Sequence, residues 1–82
     1  MKNIFVVDDN NVNFLMTDKF LSGHYRVFTL PSASNMFELL EDIKPDLILL
    51  DVMMPEMNGF EALKRLKSNS QYADIPVIMR AL

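Results

Sequence analysis

The fold of this chain is decided at residues 47–59, which read LILLDVMMPEMNG. Four apolar residues are followed by the acidic residue Asp51 and then by turn-forming residues. Parallel strands that are buried on both faces form such continuous apolar runs, and ligands of open α/β sheets bind just beyond the carboxyl ends of the strands. The pattern predicts a buried strand over residues 46–50 and makes Asp51, at its C-terminal end, the first candidate functional residue.

A second apolar run near the N-terminus ends in the same way. Residues 4–7 read IFVV and lead directly into Asp8 and Asp9. If the two strands are parallel neighbours, the carboxylates of Asp8, Asp9 and Asp51 converge at one edge of the sheet, where their like charges repel unless a cation lies among them. Hard oxygen ligands, in a chain without Cys, favour Mg²⁺ as that cation.

Strand and helix signals alternate along the whole chain. The predicted strands cover residues 3–7, 25–30, 46–50 and 77–79, and right-handed crossovers make them parallel. The alternation predicts the α/β fold class, with a flavodoxin-like doubly wound sheet, element order βαβαβαβ and strand order 2-1-3-4. In that order the first and third strands are adjacent, as the acidic cluster requires.

Each predicted helix has a capping residue and an apolar stripe. The first helix begins at Asn10 or Asn11, carries Val12, Leu15, Met16 and Phe20, and ends at Gly23. The second begins at Ser32 or Ser34 with Ala33, Met36, Phe37 and Leu40, and the third begins at Asn58 with Phe60, Leu63 and Leu66 directed at the core.

Composition limits the possible classes of protein without identifying one. The chain has 82 residues, 50% of them hydrophobic, and a formal charge of −3, which fits one small globular domain with no direct nucleic acid binding. It has no Cys, no apolar run of membrane-spanning length and no signal-peptide pattern. We therefore expect a cytoplasmic protein that does not interact with membranes.

Two segments together resemble a known family. The sequences VVDDN at residues 6–10 and PDLILLDVMMPEMNG at residues 45–59 are similar to those of response-regulator receiver domains in two-component signalling. The resemblance covers essentially the whole chain. It implies a phosphoacceptor module of a phosphorelay rather than a turnover enzyme, with Mg²⁺-dependent phosphoryl transfer to Asp51 from a histidine kinase or phosphotransfer protein.

The resemblance also implies a role for each residue of the pocket. Asp51 would be the phosphoacceptor, forming an aspartyl phosphate, and a metal ligand. Asp9 would coordinate the metal directly, Asp8 mainly through water, and Met53 through its backbone carbonyl. Pro55 and Gly59 would shape the turn after the strand. Phosphoryl transfer depends mostly on positioning and charge neutralisation, which suits such a pocket.

The C-terminal part of the sequence departs from the family pattern. We expect a receiver domain over residues 1–82 that is truncated after the fourth strand, without the fifth strand and the last two helices. Ala81 aligns where the family has a phosphoryl-binding Ser or Thr, and the family's Lys after the fifth strand is missing. An uncovered sheet face and a fourth strand at the edge favour a dimer, a higher oligomer or a marginally stable monomer.

Other interpretations of the same residues stay open. Asp51 could be a turn or capping residue, and Asp8 or Asp9 could cap the helix that begins near Asn11. The chain could also be a fragment without signalling function, or an assembly or scaffolding module that oligomerises through its exposed sheet face. A Mg²⁺-dependent phosphatase is disfavoured, because Met53 stands where a second acid would serve as general acid.

Overall fold

The computed structural model describes residues 2–9 and 23–80. The first predicted helix, with its candidate caps Asn10 and Asn11 and its stripe of Val12, Leu15, Met16 and Phe20, lies outside the described residues, as does Ala81. Whether Asp8 or Asp9 caps that helix is therefore outside the description too. The statements on structure below concern the described ranges.

Four parallel strands form one sheet in the order β2-β1-β3-β4. They are β1 (Lys2–Val7), β2 (Tyr25–Leu30), β3 (Leu47–Asp51) and β4 (Val77–Arg80). The predicted parallel sheet with strand order 2-1-3-4 is confirmed. The third strand begins and ends one residue later than predicted, so Asp51 is its last residue and is held by the sheet itself.

Two described helices begin at predicted caps. Helix α1 (Ala33–Leu40) is capped by Ser32, whose hydroxyl accepts a hydrogen bond from the N–H of Asn35 at 3.1 Å. Helix α2 (Gly59–Ser68) is capped by Asn58, whose side-chain oxygen accepts from the N–H of Glu61 at 3.0 Å. Ser34, the alternative cap, lies inside α1. Neither described helix has the length and apolarity that crossing a bilayer requires.

Both described helices pack against one face of the sheet. Residues that pair in register on neighbouring strands point to the same face of the sheet. Phe5 and Ile48 therefore share one face, and Val7 and Leu50, two residues further along, share the same face. These four side chains are buried in one core cluster with helix residues Ala33, Met36, Leu40, Ala62 and Leu66. This burial fixes the positions of β1 and β3 and, through them, of the carboxylates at their ends.

The prediction that Phe60 packs into the core is wrong. Its side chain is 62% exposed, whereas the buried positions of α2 are Gly59, Ala62 and Leu66. Gly59 is the helix position closest to the sheet, and the next residue of an α-helix is rotated by about 100° around the axis. Phe60 is therefore turned away from the sheet, and Leu63 lies half-buried at the border of the packed stripe.

The opposite face of the sheet has a gradient of burial. Ile4 and Val6 on β1 are buried, and their register partners Leu47 and Leu49 on β3 are half-buried. Ile78, the partner of Leu49 on the edge strand β4, is one of the most exposed large apolar side chains described. This face therefore becomes more exposed from the centre of the sheet towards β4.

Candidate functional site

The three carboxylates predicted to converge do lie together at the C-terminal edge of the sheet. Val7 pairs with Leu50, so the residues that follow them, Asp8 and Asp51, end neighbouring strands at the same level. Asp8, Asp9 and Asp51 each offer a carboxylate oxygen, and these oxygens lie within 4.8 Å of one another. Asp8 is 1% exposed and Asp51 7% exposed, whereas Asp9 is open to solvent.

The carboxyl group of Asp51 is held in a setting that disfavours its charge. Burial raises the pKa of Asp51 above its ordinary value of 3.8, and the negative charges of Asp8 and Asp9 act in the same direction. The backbone N–H of Met53 donates a hydrogen bond to Oδ1 of Asp51 at 3.3 Å, which opposes the rise in pKa. An added cation among these carboxylates would favour the ionised form of Asp51.

The turn after β3 brings helix α2 against the backbone of Asp51. The N–H of Gly59 donates a hydrogen bond to the carbonyl of Val52 at 3.0 Å. A Cβ at position 59 would overlap the carbonyl oxygen of Asp51 and lie 2.9 Å from the Cε of Met79. Within the turn, Glu56 has a φ of 67°. Residues other than glycine adopt this left-handed backbone conformation at a cost of about 1–2 kcal/mol.

Met53 contacts the pocket through its backbone. Its N–H bonds the Asp51 carboxylate, and its side chain is exposed. An apolar residue is therefore compatible with this position next to three carboxylates, because the polar contact comes from the main chain. The family resemblance implies the backbone carbonyl of Met53 as a metal ligand, and that role stays a prediction.

Sequence reasoning missed a fourth member of the site, Arg80. Its Nη2 donates a hydrogen bond to Oδ2 of Asp8 at 2.8 Å, and its side chain is 33% exposed. Arg80 is the register partner of Asp51 on the neighbouring strand, and its carbonyl accepts a hydrogen bond from the N–H of Val52 at 3.0 Å. The signal was present in the sequence: parallel strands all end at the same edge, so the last residue of β4 belongs with the carboxylates.

The donor set fits a hard divalent cation. Three carboxylate oxygens lie within reach of one ion, and the exposed Asp9 leaves the pocket accessible from solvent. Mg²⁺ and Ca²⁺ prefer such oxygen ligands, whereas no Cys is present to select a softer metal. One oxygen of Asp8 already accepts from Arg80.

The fold and the acidic edge define the class of protein. A parallel sheet of order 2-1-3-4 with carboxylates at the ends of β1 and β3 is a flavodoxin-like arrangement with its site at the C-terminal edge of the sheet. The family profile of the response regulator receiver domain matches residues 4–81. The chain belongs to the response regulator receiver domain family, as its sequence predicted.

Individual relatives agree with this assignment. The chain is 41% identical over 80 residues to the two-component response regulator ORR6 of Oryza sativa, covering 93% of the chain and 47% of that protein. The N-terminal domain of a response regulator receiver protein from Methanoculleus marisnigri superimposes with a TM-score of 0.91 at 40% identity, covering 96% and 65% of the two chains. The phosphorylated cyanobacterial phytochrome response regulator RcpA superimposes with a TM-score of 0.91 at 29% identity, covering 98% of this chain and 64% of RcpA.

The curated relatives are longer than this chain, which spans 17%, 47% and 63% of three of them. The family assignment therefore concerns the receiver unit, and the activities of the whole relatives are not transferred with it. A single receiver domain over residues 1–82 that lacks a fifth strand stays a prediction.

Proposed function

We propose that this chain is the phosphoacceptor module of a two-component phosphorelay, in which Asp51 accepts a phosphoryl group from a histidine kinase or phosphotransfer protein. The observation that carries the proposal is the convergence of Asp8, Asp9 and Asp51 at the C-terminal edge of the sheet. Receiver domains interact with such kinases and bind Mg²⁺ at an acidic pocket of this kind, and the chain is a member of that family.

Asp51 is the nucleophile in this proposal. A carboxylate oxygen of Asp51 forms a bond to phosphorus while the bond from phosphorus to the histidine nitrogen breaks, and the histidine leaves with the electron pair of that bond. The product is an acyl phosphate on Asp51. A similar solved structure, that of the response regulator RcpA, is of the phosphorylated protein, which supports phosphorylation in this family.

The residues around Asp51 position its carboxylate and would hold the metal. Asp9 would coordinate Mg²⁺ directly, Asp8 mainly through water, and Met53 through its backbone carbonyl. When bound, Mg²⁺ neutralises the repulsion between the carboxylates and the incoming phosphoryl oxygens. The N–H of Met53 restrains the orientation of the Asp51 carboxylate through its 3.3 Å hydrogen bond. Each of these contacts supports positioning and charge compensation, on which phosphoryl transfer depends.

Uptake of one phosphoryl group from a small donor tests this proposal. With phosphoramidate or acetyl phosphate and Mg²⁺, intact-mass spectrometry is expected to show a single phosphoryl adduct, and hydroxylamine is expected to remove it because it is an acyl phosphate. Chelation of the metal with EDTA should reduce uptake to background, since the acidic pocket repels the donor without a cation. Equal uptake in EDTA, or an adduct that hydroxylamine leaves in place, would contradict the proposal.

A second candidate function is assembly through the sheet face that carries Ile78. The observation that favours it is the exposure of Ile78 on edge strand β4, next to the half-buried Leu49. Exposed apolar side chains on an edge strand favour association with a second copy.

Light scattering after size-exclusion chromatography tests this self-association. The 82-residue chain is expected to elute as a dimer or larger species at micromolar concentration, and Ile78→Lys is expected to shift it towards the monomer. Phe60→Lys is the matched control, because Phe60 is also an exposed apolar residue but lies on α2. A folded monomer at micromolar concentration, or an equal effect of both substitutions, would remove this candidate.

A further inference from the structure

We propose that Arg80 is an internal counter-ion of the acidic pocket and competes with Mg²⁺ for the carboxylate of Asp8, so that its guanidinium lowers the affinity of the pocket for the metal. This inference rests on the proposed function, because it concerns how the same site is regulated. It adds a residue to the site that sequence reasoning did not assign to it.

The burial of Asp8 explains why this carboxylate needs a partner. Asp8 is 1% exposed, so water cannot solvate its charge, and a buried charge is costly unless it is paired and hydrogen-bonded. The Nη2 of Arg80, 2.8 Å from Oδ2 of Asp8, provides such a charge-assisted hydrogen bond. In the metal-free chain Arg80 therefore takes the place of a bound cation.

The backbone of Arg80 is fixed in this position by the sheet. Its carbonyl accepts the N–H of Val52, directly after Asp51, and Arg80 pairs in register with Asp51 across β3 and β4. The ion pair between Arg80 and Asp8 differs from the one between Lys44 and Asp74, whose charged atoms are 3.6 Å apart and whose side chains are both largely exposed. An exposed pair of that kind contributes little to stability, whereas the loss of a partner from a buried carboxylate such as Asp8 leaves a charge that water does not solvate.

Two effects of Arg80 act against metal binding. The first is charge. The three ionised carboxylates and Arg80 together carry a net charge of −2, whereas the carboxylates alone carry −3 and attract a divalent cation more strongly. The second is occupancy, because the bond from Arg80 uses one of the acceptor positions of Oδ2 with which Asp8 would otherwise hold the metal or its bound water. Both effects predict that removal of the guanidinium strengthens metal binding.

Direct measurement of metal affinity tests the proposal without relying on phosphorylation. Isothermal titration with Mg²⁺, and electron paramagnetic resonance of free Mn²⁺ as a second probe, are applied to the 82-residue chain and to Arg80→Met. Met keeps an unbranched apolar stem and removes the charge. The Mg²⁺ dissociation constant of Arg80→Met is expected to be roughly tenfold or more below that of the original chain, because a positive charge beside the ion is removed. Arg80→Lys, which keeps the charge, is expected to stay closer to the original value.

The matched control is Lys44→Met, which removes a basic residue from the exposed ion pair with Asp74 and is expected to leave the metal affinity unchanged. If Arg80→Met does not fold without metal, the unsubstituted chain provides the readout. Saturation with Mg²⁺ is then expected to shift the side-chain N–H signals of Arg80 in nitrogen-15 spectra as its bond to Asp8 is lost.

The outcomes separate this inference from the function on which it rests. Equal Mg²⁺ affinity of Arg80→Met and the original chain, or unchanged Arg80 signals at metal saturation, would overturn the competition while leaving the phosphoacceptor function in place. Absence of Mg²⁺ binding by both the original chain and Arg80→Met would overturn the proposed metal-dependent function and this inference with it. Tighter binding in Arg80→Met, with no change in Lys44→Met, supports the competition.

Discussion

Replacement of Asp51 by Asn is expected to abolish phosphoryl uptake and, at neutral pH, to raise the stability of the metal-free chain. The loss of uptake follows because an amide oxygen is a poor nucleophile and carries no charge to hold a cation. The gain in stability follows because Asn also removes a charge that the pocket disfavours. A single substitution thus acts in opposite directions on function and on stability, as strained functional sites commonly do.

The sign of the stability effect follows from the raised pKa of Asp51. Burial, with the charges of Asp8 and Asp9, raises this pKa above 3.8 in the folded chain. The folded state then binds the proton more tightly than the unfolded state does, so stabilisation is full below the unfolded pKa and is lost as pH rises through the folded pKa. At neutral pH the ionised Asp51 therefore lowers the free energy of unfolding.

Thermal unfolding in EDTA as a function of pH measures this effect. At pH 7 the Tm of Asp51→Asn is expected to lie above that of the original chain, because the substitution removes a charge that the folded pocket disfavours. The gain should disappear at a pH well below 3.8, where Asp51 is protonated in both the folded and the unfolded state. Added Mg²⁺ should stabilise the original chain more than the variant, because the variant lacks one ligand.

Asp42→Asn is the matched control for this substitution, because Asp42 is exposed and lies away from the pocket, after α1. It is expected to change Tm little at either pH. A lower Tm of Asp51→Asn than of the original chain in EDTA at pH 7 would contradict the account of the pocket. So would a gain that persists unchanged in acid.

Much of the fold could be predicted from the sequence, because local signals and the global pattern agree. The apolar runs that end at Val7 and Leu50 are β1 and β3, and the caps Ser32 and Asn58 begin the helices that they predict. Once two strands are known to be parallel neighbours, the carboxylates that end them must meet at one edge. The acidic site followed from this topology without any knowledge of side-chain contacts.

Two residues show where sequence reasoning failed. Phe60 was expected in the core because periodicity gives the spacing of an apolar stripe, but not which residue of the first turn lies closest to the sheet; that residue is Gly59. Arg80 was overlooked because an ion pair between residues 72 positions apart depends on the register of β4 against β3. Both features are set by tertiary packing rather than by local pattern.

The second large effect is expected at Gly59, where no side chain fits. A Cβ at this position would overlap the carbonyl oxygen of Asp51 and lie 2.9 Å from the carbonyl carbon of the same residue. The obstacle is the backbone at the end of β3, an inner strand of the sheet, so it cannot rotate away as a flexible side chain would. The N–H of Gly59 is also bonded to the carbonyl of Val52, which fixes the start of α2 against the strand end.

Gly59→Ala is therefore expected to lower the free energy of unfolding by about 2–3 kcal/mol. It should also reduce phosphoryl uptake roughly 100-fold, since displacement of a reacting group by about 1 Å has effects of that size. Gly23→Ala is the matched control: no atom of the described residues lies within 4 Å of a Cβ there and its φ is not positive, so stability should change by less than about 0.5 kcal/mol. Urea unfolding and the phosphoramidate assay measure both effects. Equal stability of the two variants would show that α2 can move away from Asp51 without cost, and the close contact of Gly59 with the strand end would then not hold the site in place.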